Sequence, residues 1–448
     1  MYVGYNTLMT QDEALDLLKL GHNVYLTGPA GSGKTYLLNK YIEYLRKNNV
    51  SVGVTASTGI AATHLNGTTI HSWSGIGIKD KLEKQDINDL KNKIYLQIRF
   101  SLAKVLIIDE ISMLHGHRLD MIDQVCRAFK ISSEPFGGLQ VVMCGDFFQL
   151  PPVARNGEDD SFVYKSSIWN QMNLKVCYLE EQYRQADQGF LQVLNDIRGS
   201  SVSHKTLEIL MTRYNQEVDG VGSPTKLYTH NTDVDAINNM ELAKLNEKPE
   251  TYSMTSSGEE KLIEIVKKSC LAPEQLILKK KAIVMFVKNN FDKGYVNGTL
   301  GEVIGFDKEK YPIVKTLRGK EIIAGPTSWT IEEEGVVKAE ISQIPLRLAW
   351  AITVHKSQGM SLDAAQIDLS KSFVTGMGYV ALSRVRALDG MKLVGINKMA
   401  LKVNEEVVEV DYDLKKQSGY DKRVVANLPK GQRIKLQKKF LDSVSTKT

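Results

Sequence analysis

The stretch "NVYLTGPAGSGKTYLLNKYIEYLRKN", Asn23–Asn48, passes from an apolar run through a glycine-rich turn into apolar residues at helical spacing. Strand, turn and helix in that order are the setting in which "GPAGSGKT", Gly28–Thr35, fits the phosphate-binding loop pattern. The residue types follow from the chemistry. Gly28, Gly31 and Gly33, interspersed with Ala30 and Ser32, let backbone N–H groups curl around phosphate oxygens, and the helix N-terminus adds positive potential. Lys34 then reaches the β and γ phosphates of ATP, and Thr35 ligates magnesium.

Outward from this loop, strands and helices alternate. "VSVGVTA" precedes "TGIAATHLN", "AKVLIIDE" precedes "RLDMIDQVCRAFK", and "LQVVMCGD" and "LKVCYLE" follow. Apolar strands separated by helices predict a parallel sheet covered on both faces, an α/β domain over residues 1–178. In "VLIIDEISM" a strand ends on Asp109-Glu110. One carboxylate suits a metal and the next suits orienting and deprotonating a water, the division that phosphoryl transfer to water requires. The two motifs together define a magnesium-dependent nucleoside triphosphatase, which a kinase, a transporter subunit or a protein-remodelling ATPase also satisfies. A third segment, "CGDFFQLPPV", Cys144–Val153, ends a strand on a proline turn, which accounts for Pro151 and Pro152 but not for Asp146 and Gln149.

A second strand and helix series occupies residues 179–280 and 345–400, with "TKLYTHN", "AAQIDL" and "YVALSRVRA" among its elements. Between its parts, residues 281–344 are short apolar runs broken by Asn297-Gly298 and Gly325-Pro326, which reads as hairpins of a small inserted β-barrel or sheet. A polar excursion at 78–99 splits the first domain, and residues 401–448 form a basic C-terminal extension with seven cations and no acid between Lys422 and Lys439. Such a tail suits a polyanion, DNA or another partner, or is a poorly ordered solubilising end.

Composition sets the outer bounds. The 448 residues are 42% hydrophobic and 24% charged with net charge +5, an ordinary globular balance that excludes a wholly disordered chain. Four scattered cysteines predict neither a disulfide nor a structural metal. No apolar run approaches the roughly 20 residues of a membrane helix. The expectation is a soluble chain that is cytoplasmic and nucleoid-associated, or nuclear or mitochondrial only with a precursor segment upstream.

Taken in order, "LMTQDEALDLL", "GPAGSGKT", "TASTGIAATHLNGTTIHSW", "IIDEISM", "PFGGLQVVMCGDFFQLPPV", "LEEQYRQ", "VNGTLGEV", "AITVHKSQGMSLD" and "YVALSRVRA" resemble the motifs of superfamily 1 DNA helicases, and within them the RecD-like Pif family. The resemblance covers almost the whole chain. It implies two RecA-like parallel-sheet domains with a small inserted β-barrel and a short wedge insert at 78–99. By resemblance, Gln11 reads adenine, Tyr183 stacks near the base, Gln358 and Gly359 belong to the ATP site, Asp109 joins Thr35 on Mg2+, and Gln149 senses the γ-phosphate with Asp146 in support. Arg184 and Arg384 match the arginines that reach the γ-phosphate from the second domain, so the catalytic set is Lys34, Glu110, Gln149, Arg184 and Arg384.

The same resemblance implies an ATP-dependent DNA helicase moving 5'-to-3' on single-stranded DNA and unwinding forked or structured duplexes, G-quadruplex DNA included. It implies work in replication, repair, recombination or telomere maintenance, and a monomer. A strand bound without regard to sequence needs hydroxyls and amides for phosphates and apolar faces for bases. The candidates are Thr55, Ser57, Thr58, His71, Trp73, Pro151, Val153, His355, Lys356 and Ser357. Two other activities share these residues: a DNA-stimulated translocase that strips proteins without efficient unwinding, and a nucleotide-gated nucleic-acid clamp.

Overall fold

A strand that is buried along its whole length needs cover on both faces, and three of the runs read as strands have that property: β1 (Val24–Thr27), β4 (Val105–Asp109) and β5 (Gln140–Cys144). In the computed structural model, which describes residues 9–445 apart from 66, 78, 153–160, 180, 186, 219–223, 289, 291, 296, 317–318 and 334–335, they lie in a parallel sheet with β2 (Val52–Ala56), β3 (Thr68–Thr69) and β6 (Lys175–Tyr178), in the order β3-β2-β4-β5-β1-β6. The register sets Leu26 beside both Cys144 and Cys177, and Ile108 beside Met143. The C-terminal ends of β4, β5 and β1 are therefore neighbours, the edge at which open α/β sheets bind ligands.

Helices α1 (Gln11–Lys19), α2 (Lys34–Lys47), α3 (Gly59–His64), α4 (Ile70–Ser74), α5 (Lys84–Lys91), α6 (Ile94–Leu102), α7 (Gly116–Lys130) and α8 (Ser167–Gln171) complete this part. The excursion expected at 78–99 is mostly α5 and α6. Arg99 of α6 donates to the Trp73 carbonyl (2.8 Å), and Phe100 meets the Trp73 ring edge-on at 4.8 Å.

The chain divides into two compact units, residues 1–183 with 404–448, and residues 184–403. The second unit opens with α9 (Gln188–Arg198) and α10 (His204–Met211). Then come β7 (Thr225–Tyr228), α11 (Asn231–Lys244), β8 (Glu250–Ser253), β9 (Thr255–Gly258), α12 (Glu260–Ser269) and β10 (Gln275–Leu278). Antiparallel strands follow: β11 (Ile283–Phe286), β12 (Leu300–Phe306), β13 (Pro312–Thr316), β14 (Glu321–Ile323), β15 (Thr327–Glu333), β16 (Val336–Gln343) and β17 (Leu346–Leu348). The unit closes with β18 (Ala351–Thr353), α13 (Val354–Ser357), β19 (Ala365–Leu369), α14 (Met377–Leu382) and β20 (Met391–Ile396). Its parallel sheet runs β18-β7-β19-β20.

Three domain boundaries differ from expectation. The insert is not confined to 281–344: β9 pairs with β16, and β8 pairs with β10, so strands from residue 250 onward belong with the antiparallel part. That part forms a five-stranded sheet, β14-β13-β12-β11-β17, and a three-stranded sheet, β15-β16-β9; among the described residues no ladder closes either into a barrel. The first unit runs on past residue 178 to Tyr183, because the Leu179 N–H bonds the Thr27 carbonyl and the Tyr183 N–H bonds the Gly31 carbonyl. The basic extension is neither disordered nor separate. It forms α15 (Glu405–Ala426) and α16 (Lys430–Val444) and packs into the first unit, with Val425, Phe440, Leu441 and Val444 against its core.

Candidate active site

The loop between β1 and α2 depends on its glycines. Gly28 and Gly33 hold φ of 143° and 82°, where an L side chain is strained. A Cβ on Gly28 would lie 2.0 Å from the Leu179 carbonyl oxygen, and one on Gly33 would lie 2.2 Å from the Gln11 amide nitrogen. The Lys34 ammonium donates to the carbonyls of Gly28 (2.8 Å) and Pro29 (3.0 Å), folded back over the loop. Gln11 and Tyr183 both lie against this loop. Gln11 Nε2 donates to the Ser32 carbonyl at 3.5 Å, and Tyr183, bonded through its backbone to Gly31 at 3.0 Å, leaves its ring 62% exposed.

At the end of β4, Asp109 is buried, and its Oδ1 accepts the Glu110 N–H at 2.8 Å. Glu110 sits in the left-handed region (φ 51°, ψ 46°), a costly backbone for a residue other than glycine. Ser57 holds that turn: its hydroxyl donates to the Glu110 carbonyl (2.6 Å) and its N–H to the Asp109 carbonyl (3.0 Å). Burial first, and the neighbouring Glu110 carboxylate second, push the Asp109 carboxyl up to about 7. A cation at this carboxylate would offset both effects.

After β5, Asp146 caps its own turn, accepting the Phe148 N–H on Oδ1 (3.2 Å) and the Gln149 N–H on its carbonyl (3.0 Å). Gln149 is buried, and neither its Oε1 nor the Ser32 hydroxyl has a hydrogen-bond partner among the described residues. Two buried oxygens of this kind cost about 1–3 kcal/mol each until something polar meets them. The glycine cradle and these orphaned atoms fit a nucleotide polyphosphate. Thr35, in the first turn of α2, and Asp109 fit Mg2+, which asks for one or two protein oxygens beside phosphate and water.

In the second unit, Arg184 and Arg384 converge on Ser383. Arg184 donates to the Ser383 carbonyl (3.0 Å), and Arg384 donates to the Ser383 hydroxyl (2.7 Å) and the carbonyls of Val380 (2.8 Å) and Met360 (3.3 Å). Arg384 is only 1% exposed, so its guanidinium is held within its own unit. Gln358 is buried beside it in sequence to Gly359, which has φ 79° and an exposed backbone.

The strand-binding candidates separate by exposure. Thr55 is fully buried and donates to the Ile107 carbonyl (2.6 Å), and Trp73 is 4% exposed, so both are core rather than platforms for DNA. A Cβ on Gly53 would strike the Trp73 indole at 2.8 Å. Ser57 serves the Glu110 turn, Ser357 is buried and donates to the Val354 carbonyl (2.7 Å), and the Thr58 hydroxyl accepts the Ala61 N–H (3.2 Å) as a helix cap. His71, half-buried, has its imidazole lowered to about 4 by burial first, then by Arg118 and His115. His355 and Lys356 are half-buried, and burial lowers both. Pro151 is half-buried, and Val153 lies outside the described residues. Phe373 was not expected. Its ring is 55% exposed, 5.0 Å from His230 and 6.3 Å from His355, and no local motif marks it.

Three adjacent strands thus end in groups that handle a polyphosphate, which makes the first unit a P-loop nucleoside triphosphatase. The PIF1-like helicase family model matches residues 10–206, and the DNA helicase Pif1 2B domain matches residues 261–306. The ATP-dependent DNA helicase Pif1 of Psychrobacter sp. (strain PRwf-1) is 46% identical, over 88% of this chain and 69% of that protein. A crystal structure of Bacteroides sp Pif1 in complex with ADP-AlF4 superposes with a TM-score of 0.79 at 32% identity, covering 91% of this chain and 97% of that one. One of Bacteroides Pif1 bound to ssDNA gives 0.65 at 31%, covering 92% and 97%. The chain belongs to the PIF1-like helicase family.

Proposed function

We infer that this protein is an ATP-dependent DNA helicase, a motor that hydrolyses ATP to move along single-stranded DNA and separate duplexes. The observation that carries the reading is the set of loop, carboxylate pair and amide at the ends of β1, β4 and β5. The loop N–H groups and Lys34 hold the phosphates, Glu110 takes the proton of the attacking water, and Gln149 orients at the γ-phosphate. Thr35 and Asp109 would hold Mg2+, which supplies charge neutralisation on the phosphates. Gln11 and Tyr183 meet the base. By resemblance, Arg184 and Arg384 are the arginines that would add positive charge where the transition state gathers negative charge.

For the strand, the exposure pattern supports His71, Thr58, Pro151, His355 and Lys356 over the buried members of the set. Nucleotide-dependent grip would then convert turnover into movement. The direction is 5'-to-3', the excursion at 78–99 supplies the wedge, the working form is a monomer, cytoplasmic and nucleoid-associated in a bacterial or viral source and nuclear or mitochondrial only with a precursor segment, and forked and G-quadruplex DNA are its structured substrates. Among the described residues no helix is long and apolar enough to cross a membrane. A strand-displacement assay on tailed duplex tests the reading: ATP should release the strand and a non-hydrolysable analogue should not. Equal release with the analogue would point to a clamp, and ATP turnover without release to a translocase.

A further inference from the structure

Tyr183 and Gln11 reach the phosphate loop on two different elements, and the C-terminal helices hold both. β6, which leads to Tyr183, is the edge strand of its sheet, and its outward N–H groups lack a strand partner on that side. α15 supplies the acceptors. The Val176 N–H donates to Asp421 Oδ2 (2.9 Å) and the Tyr178 N–H to Ser418 Oγ (3.0 Å), while Gln417 Nε2 donates to the Leu174 carbonyl (2.7 Å). Tyr178 is the node of this edge. Its hydroxyl donates to Asp411 (2.7 Å), the Lys415 ammonium lies 5.2 Å from its ring centroid, and its carbonyl accepts the Met9 N–H (3.3 Å) just before α1.

On the other side, α1 carries Gln11 at its first position. Glu13, whose carboxylate caps that helix by accepting the Thr10 N–H (2.8 Å), is paired with Lys422 (3.3 Å). Asp16 is paired with Arg433 (3.0 Å) and accepts from Gln437 Nε2 (3.1 Å). Phe440 fills the space over Gly21, where a Cβ would meet its ring at 2.3 Å. The tail therefore buckles α1 to β6 at points within a few residues of Gln11 and Tyr183.

We propose that α15 and α16 are positioning elements of the nucleotide site: by tying α1 to β6 they set Gln11 and Tyr183 around the loop and so determine affinity and selectivity for the base. The proposal rests on the ATPase reading of the first unit. Phosphate binding is built into the loop itself, whereas base recognition by hydrogen bonds fails with small misplacements, so loosening the buckle weakens base discrimination before it slows chemistry. Partly exposed ion pairs contribute little to global stability, so their loss should be read at the site and not in the melting temperature.

The test uses the full chain carrying Lys422→Gln with Arg433→Gln, and separately Ser418→Ala. Titration calorimetry with ATP and CTP measures selectivity without turnover, and steady-state ATPase measures KM and kcat. The ATP-over-CTP ratio of Kd values should fall about tenfold, KM for ATP should rise in step, kcat should hold, and Lys422→Arg with Arg433→Lys should restore the ratio. An unchanged ratio in the folded variants overturns the proposal; if the double variant unfolds, the Ser418→Ala protein decides it by the same ratio. A wild-type chain that binds ATP selectively without hydrolysing it would overturn the motor reading and leave the brace standing.

Discussion

At the scale of single residues, Glu110 shows what a motif specifies and what it leaves to the fold. The proposed role as a base beside a metal ligand would account for its identity, but its left-handed backbone, pinned by the Ser57 hydroxyl 53 positions earlier, turns it away from the line of β4. Glu110→Gln keeps the size and the backbone and removes the base. ATP should still bind by calorimetry, and kcat should fall by about 10²–10⁴-fold, the usual range for a general base; turnover near wild type would move the role elsewhere. The placement of Gln11, Lys34, Asp109, Gln149 and Tyr183 at the loop or a strand end was legible, because each is tied to it by chain order. Thr55 and Trp73 were not, since a hydroxyl near the end of a strand or an indole on a short helix serves the core and a ligand equally well, and only packing decides which.

At the scale of elements, the segment "CGDFFQLPPV" carries two phenylalanines that are both buried. Phe147 stacks on Tyr25 at 5.1 Å and meets Tyr164 (5.0 Å) and Phe162 (5.6 Å) edge-on, so the turn that presents Gln149 stands on an aromatic base. Phe147→Ala should cost about 3–5 kcal/mol in denaturant unfolding of the chain, as loss of a packed aromatic does; a loss under ~1 kcal/mol would show the turn to be held by its proline segment instead. The parallel strands were visible as apolar runs. α16 was not, because its lysines outnumber the few apolar residues, Phe440, Leu441 and Val444, that meet the core. β8 and β9 were hidden for the opposite reason: "ETYS" and "TSSG" are mostly polar, β9 is exposed along its length, and Tyr252 alone among their side chains packs toward the core.

At the scale of the whole molecule, the expected behaviour is directional unwinding. A fork with a single 5' tail should be opened with ATP and one with a single 3' tail should not; the reverse result in a gel-based displacement assay would overturn the polarity. The sequence by itself determined the ATPase chemistry, through a phosphate loop and a carboxylate pair in their strand contexts, and the family, through the further motifs that stand in order from "LMTQDEALDLL" to "YVALSRVRA". Tertiary structure alone decided that residues 404–448 complete the first unit, that Thr255–Gly258 pair with residues near 340, and which of the hydroxyls and aromatics stay at the surface. Those outcomes depend on burial and on pairing between segments as distant as Gly258 and Ala339, or Val176 and Asp421, and local periodicity carries no record of such partners.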